Sequence, residues 1–255
     1  MNRPQEIAAS DRLIVALDFD TAEEARSLVG VLGDTVGFYK VGWQLFLGAG
    51  WPFVEDLLEA GRKVFLDLKI GDIENTVRAA LGNMPDHFAG QLEMLTLQGG
   101  RATVQAAIEG RGARSRPRLL MLTVLSSMDD SDLEDLWPGG HEGAALADAV
   151  RLRARMALDA GCEGLIASGE SVRDLREHFT DRPFLIVAPG IRPEAGAHDE
   201  HKRPLTPYRA ILYGADYLVV GRPVTVSDRP KDAARSVISE IERALQDRDR
   251  QLGSS

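Results

Sequence analysis

A chain of 255 residues with 39 acidic against 30 basic side chains, a formal net charge of −9, is too acidic overall for a general nucleic-acid or anionic-membrane surface, although a local basic pocket stays open to it. Its one cysteine, Cys162, excludes an internal disulfide framework. The opening residues Met1 to Glu6 lack the apolar core of a signal peptide, and no run approaches the roughly 18 apolar residues of a membrane span, so a soluble cytoplasmic protein is expected.

Along the chain, short apolar runs rich in β-branched residues alternate with longer stretches of helical periodicity. The first predicted strand, Leu13–Leu17, runs into Asp18 on the face of Ile14 and Ala16, and a helix is predicted over Ala22–Leu32. The second, Phe38–Val41, carries Lys40 in phase with Phe38 and opposite to Tyr39 and Val41. In the third, Val64–Leu68, alternation sends Phe65, Asp67 and Lys69 one way and Val64, Leu66 and Leu68 the other. A carboxylate inside a strand buried on both faces is costly unless paired, so Asp67 and Lys69 should lie at an open strand end, with Asp72 in the loop beyond. The fourth strand is Leu92–Leu97, and the fifth, Leu119–Thr123, leads to Ser126 and Ser127. After a helix over Ala144–Leu158 come Gly164–Ala167, then Phe184–Ala188 running into Pro189-Gly190-Ile191-Arg192, and Tyr217–Val220 running into Gly221-Arg222-Pro223-Val224. A helix over Lys231–Leu245 closes the series.

Eight such units fill the length, and no glycine-rich dinucleotide fingerprint follows the first strand. The pattern predicts an α/β fold, a (β/α)₈ TIM barrel forming a single domain over residues 1–255, with frayed ends before Ser10 and after Gln246. Functional groups of such barrels lie at the carboxyl ends of the strands, where Asp18, Lys40, Asp67 and Lys69 cluster. The loops after strands seven and eight commonly hold phosphate. There Gly190 and Gly221 allow close backbone approach, and Arg192 and Arg222 offer guanidinium forks, so a phosphorylated substrate is expected.

The long polar stretch Pro193–Thr206 is expected to be a lid that reaches the phosphate through His201 or Arg203. His198, Asp199, Glu200 and His201 are adjacent on that loop and do not preorganise a coordination sphere, so no metal site is expected. His87, His141 and His178 are read as surface residues, and Trp43, Trp51 and Trp137 as packing residues.

Taken together, Val15-Ala16-Leu17-Asp18, Tyr39-Lys40-Val41-Gly42, Asp67-Leu68-Lys69-Ile70-Gly71-Asp72-Ile73-Glu74-Asn75-Thr76, Leu122 to Met128, Pro189 to Pro193, Leu205-Thr206-Pro207 and Gly221 to Val224 resemble, in order, the orotidine 5′-phosphate decarboxylase family. The resemblance implies decarboxylation of orotidine 5′-phosphate to uridine 5′-phosphate, the last step of pyrimidine synthesis, without metal or organic cofactor. It also implies that Lys40, Asp67, Lys69 and Asp72 form a catalytic charge array, with Asp72 and Thr76 crossing into the site of the second subunit of a homodimer. On the same basis Asp18 holds ribose hydroxyls, Ser126 the pyrimidine edge, and Arg192 and Arg222 the phosphate; Lys40, Ile73, Gly221 and His201 complete the substrate-binding set. Departures from the common bacterial pattern fall at Gly71, Glu74, Thr96 to Gly100 and His201. Two rival enzymes share a D-x-K-x-x-D strand or its lysine: an Mg²⁺-dependent sugar-phosphate decarboxylase or aldolase, and a Schiff-base aldolase using Lys69. A third rival is a catalytically silent nucleotide-phosphate sensor.

Overall fold

The computed structural model describes residues 7–132, 146–193 and 205–253. Its centre is a closed, all-parallel barrel in which each strand pairs with the next and the eighth pairs with the first. The strands are β1 (Leu13–Ala16), β2 (Phe38–Gly42), β3 (Lys63–Ile70), β4 (Met94–Leu97), β5 (Arg118–Leu122), β6 (Gly164–Ile166), β7 (Leu185–Ala188) and β8 (Tyr217–Val220). Around them run α1 (Ala22–Leu32), α2 (Trp43–Glu59), α3 (Glu74–Gly82), the short α4 (Asp86–Ala89), α5 (Arg101–Arg111), α6 (Leu146–Ala160), α7 (Ser171–His178), α8 (Pro207–Leu212), the single turn α9 (Arg222–Thr225) and α10 (Pro230–Gly253). Every predicted strand is present within two residues at each end.

Alternation along the strands produces two apolar layers. Ile14, Ala16, Phe38, Phe65, Met94 and Leu120 turn into the barrel, while Leu13, Val15, Tyr39, Val41, Leu66 and Leu95 meet the helices. Inside, Phe38 and Tyr217 meet edge to face at 5.8 Å between centroids, a contact worth about 0.5–1.5 kcal/mol beyond its burial. Local signals start the helices: Thr21 and Glu24 form a reciprocal capping box at α1, and Thr206 caps α8 ahead of Pro207. Each such cap stabilises by about 1 kcal/mol.

The amino ends of the strands form a closed floor. Arg118 pairs with Glu93 at 2.8 Å, and Arg12 donates to the carbonyl oxygens of Ile7 and Asp216. Ile7 packs against the interior layer. At the other end α10 continues past the predicted Lys231–Leu245, to Gly253. Asp247 holds that extension, accepting from the Tyr208 hydroxyl at 2.9 Å and pairing with Arg250 one turn on at 3.1 Å. Among the described residues no helix is long and apolar enough to cross a membrane. Trp51 packs between Phe46 and Phe88 as expected, whereas Trp43 is 49% exposed at the barrel mouth; Trp137 and His141 lie outside the described residues. His87 is a surface residue beside Glu55.

Candidate active site

At the carboxyl ends of the strands a cavity of about 470 Å³ opens, a size suited to a nucleotide-scale ligand. Ala16, Phe65, Leu122, Ile166 and Val219 form its apolar base, and the polar residues stand around the rim. Asp18, Lys40, Asp67, Lys69, Ser126, Arg192, Gly221 and Arg222 all line it, so these predicted positions converge.

Four of them form an alternating chain of charge across β1, β2 and β3. The Lys40 ammonium donates to Asp18 Oδ1 at 2.8 Å and lies 3.7 Å from Asp67 Oδ2. On its other oxygen, Asp67 Oδ1 accepts from Lys69 Nζ at 3.0 Å. The Lys40 side chain is only 11% exposed and that of Asp67 15%, so each charge depends on its neighbours to offset desolvation. Gly42 keeps the space: a Cβ there would come within 2.9 Å of the Lys40 ammonium.

Alternation correctly put Asp67 and Lys69 together, but the backbone reaches that result by another route. Against β4, Leu66 pairs with Leu95 and Ile70 with Leu97, so Asp67, Leu68 and Lys69 bulge opposite Thr96 alone. Lys69 takes a positive φ of 47°, the one non-glycine residue among those described to do so. Gly71 follows, and a Cβ on it would lie 2.0 Å from the carbonyl oxygen of Gln98. The departures at Gly71 and in the Thr96 to Gly100 stretch are thus one feature: the β4 loop backbone fills the place that a side chain at 71 would need.

At the opposite side of the rim, Gly190 has φ +74°, a conformation that suits glycine, and Ile191 bridges to Leu205 while the Arg192 amide donates to the Leu205 carbonyl at 2.8 Å. Both ends of the long β7 connection are pinned there. Burial lowers the Arg192 guanidinium from its ordinary pKa. Gly221 is the N-cap residue of α9, and a Cβ on it would make only ordinary contact with Ala16, so bulk alone does not demand glycine there. His201, the neighbouring His198, Asp199 and Glu200, and most of the expected lid lie outside the described residues.

Asp72, Ile73 and Thr76 do not line this cavity. Their loop turns outward, Ile73 is 68% exposed, and the Asp72 carboxylate accepts from the Ile73 amide and makes no ion pair among the described residues. Sequence reasoning missed Gln44, which lines the cavity from the first turn of α2, and Thr96 and Gly42, which shape the array without supplying charge. A polar residue amid the apolar start of α2 was the available sign for Gln44. Cys162 is buried away from the cavity, and burial pushes its thiol up to about 12, which removes it as a nucleophile near neutral pH.

A family model described as orotidine 5′-phosphate decarboxylase / HUMPS matches residues 11–237. The chain belongs to this family. It is 44% identical over 237 residues to the orotidine 5′-phosphate decarboxylase of Nitrobacter winogradskyi, covering 93% of this chain and 95% of that protein. With the enzyme of the same name from Bradyrhizobium diazoefficiens it shares 43% identity over 242 residues, 95% of this chain and 98% of the relative. Among solved structures, the orotidine 5′-phosphate decarboxylase of Lactobacillus acidophilus superposes with a TM-score of 0.74 at 34% identity, covering 90% of this chain and 98% of that one. The matched span contains all of the blocks that carried the resemblance, from Val15 to Val224.

Proposed function

We propose that this protein is an orotidine 5′-phosphate decarboxylase, releasing CO₂ from its nucleotide substrate to give uridine 5′-phosphate in pyrimidine synthesis. The observation that carries this reading is the alternating Asp18, Lys40, Asp67, Lys69 chain lining one cavity with Arg192 and Arg222. The arginines bind the phosphate, Asp18 the ribose hydroxyls and Ser126 the pyrimidine edge.

Loss of CO₂ from C6 leaves an electron pair in the plane of the ring, where the π system delocalises it poorly. Stabilisation must therefore come from outside the ring. The Lys69 ammonium, already oriented by Asp67, faces the developing carbanion and then delivers the proton to C6. Asp67 stands beside the departing carboxylate, and like charges ~4 Å apart repel by about 4 kcal/mol at an effective dielectric near 20. We assign the main contribution to the preorganised Lys69, whose charge needs no reorganisation as the reaction proceeds. Phosphate binding lets energy from a remote part of the substrate hold the pyrimidine ring against this array.

No divalent ion is needed in this scheme. An ion at Asp18 and Asp67 would have to displace the Lys40 ammonium, which stands 2.8 Å and 3.7 Å from their oxygens. The working unit is a homodimer of single-domain subunits in the cytoplasm, each subunit lending Asp72 and Thr76, with Ile73 between them, to its partner's cavity. What supports the dimer is the loop after β3 with its exposed Ile73, together with the exposed Trp43 and Leu47 in the first turns of α2, which follow β2 at the same end of the barrel.

Mixing the purified protein with orotidine 5′-phosphate and following its ultraviolet absorbance tests the reading. Absorbance should fall at the same rate with and without a chelator. An unchanged spectrum, or activity that disappears with chelation, would overturn it.

A further inference from the structure

We propose that Thr96 is a positioning residue for the decarboxylation, an inference that rests on the function proposed above. It is fully buried on β4 and does not line the cavity, so it acts through the residues it holds and not on the substrate. Its place in the register is unusual: between the Leu66–Leu95 and Ile70–Leu97 pairs, Thr96 alone faces the bulge formed by Asp67, Leu68 and Lys69.

A bulge of this size breaks the backbone ladder and leaves polar groups to be satisfied by other means. The Lys69 amide finds its acceptor in the Thr96 hydroxyl oxygen at 2.9 Å. That same hydroxyl donates its proton to Asp67 Oδ1 at 2.8 Å. One side chain thus fixes the amide of a lysine with φ 47° and the carboxylate that orients the same lysine's ammonium. With Oδ1 shared between Thr96 and Lys69, Oδ2 is left turned to Lys40. The bond network therefore sets both the backbone from which Lys69 departs and the carboxylate on which it rests.

The chemistry requires a hydroxyl. It must accept from an N–H and donate to a carboxylate at once, as threonine and serine can and valine cannot. Thr96→Val keeps the shape but leaves the partly buried Lys69 amide without its acceptor and frees Asp67 Oδ1 from one donor.

The test compares kcat, KM, uridine 5′-phosphate affinity and thermal stability in wild type, Thr96→Val and Thr96→Ser, with hydrogen exchange at the Lys69 amide. Thr96→Val should lower kcat by about tenfold or more while KM and product affinity move by less than about threefold, the pattern of an interaction that matters in the transition state. Thr96→Ser should return kcat to within about threefold of wild type, and exchange at the Lys69 amide should quicken in Thr96→Val relative to its strand neighbours. If Thr96→Val does not accumulate as folded protein, Thr96→Ala provides the same loss of hydroxyl without crowding. A variant that loses thermal stability yet keeps its kcat, or a serine that fails to rescue, would overturn the inference and leave Thr96 a packing residue. A wild-type protein inert towards orotidine 5′-phosphate would instead overturn the decarboxylase reading, and the positioning role with it.

Discussion

The ammonium of Lys69 lies 3.0 Å from Oδ1 of Asp67, two residues earlier in the same strand, although the backbone between them bulges and Lys69 itself is left-handed. A regular strand would also set residues i and i+2 on one face, but with side chains roughly parallel. Here the bulge turns the lysine onto the carboxylate. The fold thus places a local irregularity where Asp67 and Lys69 meet at the cavity rim.

Because Gly42 leaves room for the Lys40 ammonium, Gly42→Ala should displace that group, with a Cβ arriving 2.9 Å from Nζ. Displacing one charge disturbs its neighbours in the chain, so kcat/KM should fall roughly ten- to a hundredfold. Circular dichroism should be unchanged, since the added methyl meets the end of a flexible side chain and no backbone atom closer than 3.9 Å. Wild-type kinetics in Gly42→Ala would show that Lys40 tolerates the move.

Much of this was legible in the sequence, for physical reasons that differ between elements. The barrel strands announce themselves because their alternating faces are buried on both sides, and Lys40, Asp67 and Lys69 stand out because charge in such a strand needs an explanation. Asp18 to Lys40 could be inferred as neighbours only through the parallel pairing of β1 with β2, which the repeated pattern supplies. The bulge was hidden. No single residue signals it, since the register shift is a relation between Asp67 to Lys69 and Thr96, 27 positions after Lys69. Gly71 and Gln98 were read as separate departures for the same reason, since only the fold shows that one backbone occupies the other's side-chain space. The terminal helix outran its apolar periodicity because polar partners, Tyr208 and Arg250, hold Asp247.

Arg222→Ala should act on affinity. Removing a charge-assisted contact to phosphate should cost about 2–5 kcal/mol in binding of uridine 5′-phosphate, measured by calorimetry. Uridine, which lacks the phosphate, should bind wild type and variant alike. Equal affinity of the two proteins for uridine 5′-phosphate would remove Arg222 from the phosphate site.

The proposed sharing of sites between subunits makes a separate prediction. If Asp72 serves the partner's cavity, mixing Asp72→Ala with Lys69→Ala places both lesions in one site of each hybrid dimer and leaves the other intact. With statistical exchange about half the dimers are hybrids, so roughly a quarter of wild-type activity should return from two nearly inactive proteins. No recovery, once exchange is verified with distinct tags, would mean that Asp72 acts within its own chain.

The central claim, that a preorganised Lys69 ammonium drives decarboxylation while other residues hold the nucleotide, is tested most directly by Lys69→Ala. Turnover of orotidine 5′-phosphate and affinity for uridine 5′-phosphate should be measured on the same preparation. The account predicts that turnover is abolished while product affinity stays within about tenfold of wild type, because the phosphate contacts survive the substitution. Retention of more than about a tenth of wild-type kcat would contradict it.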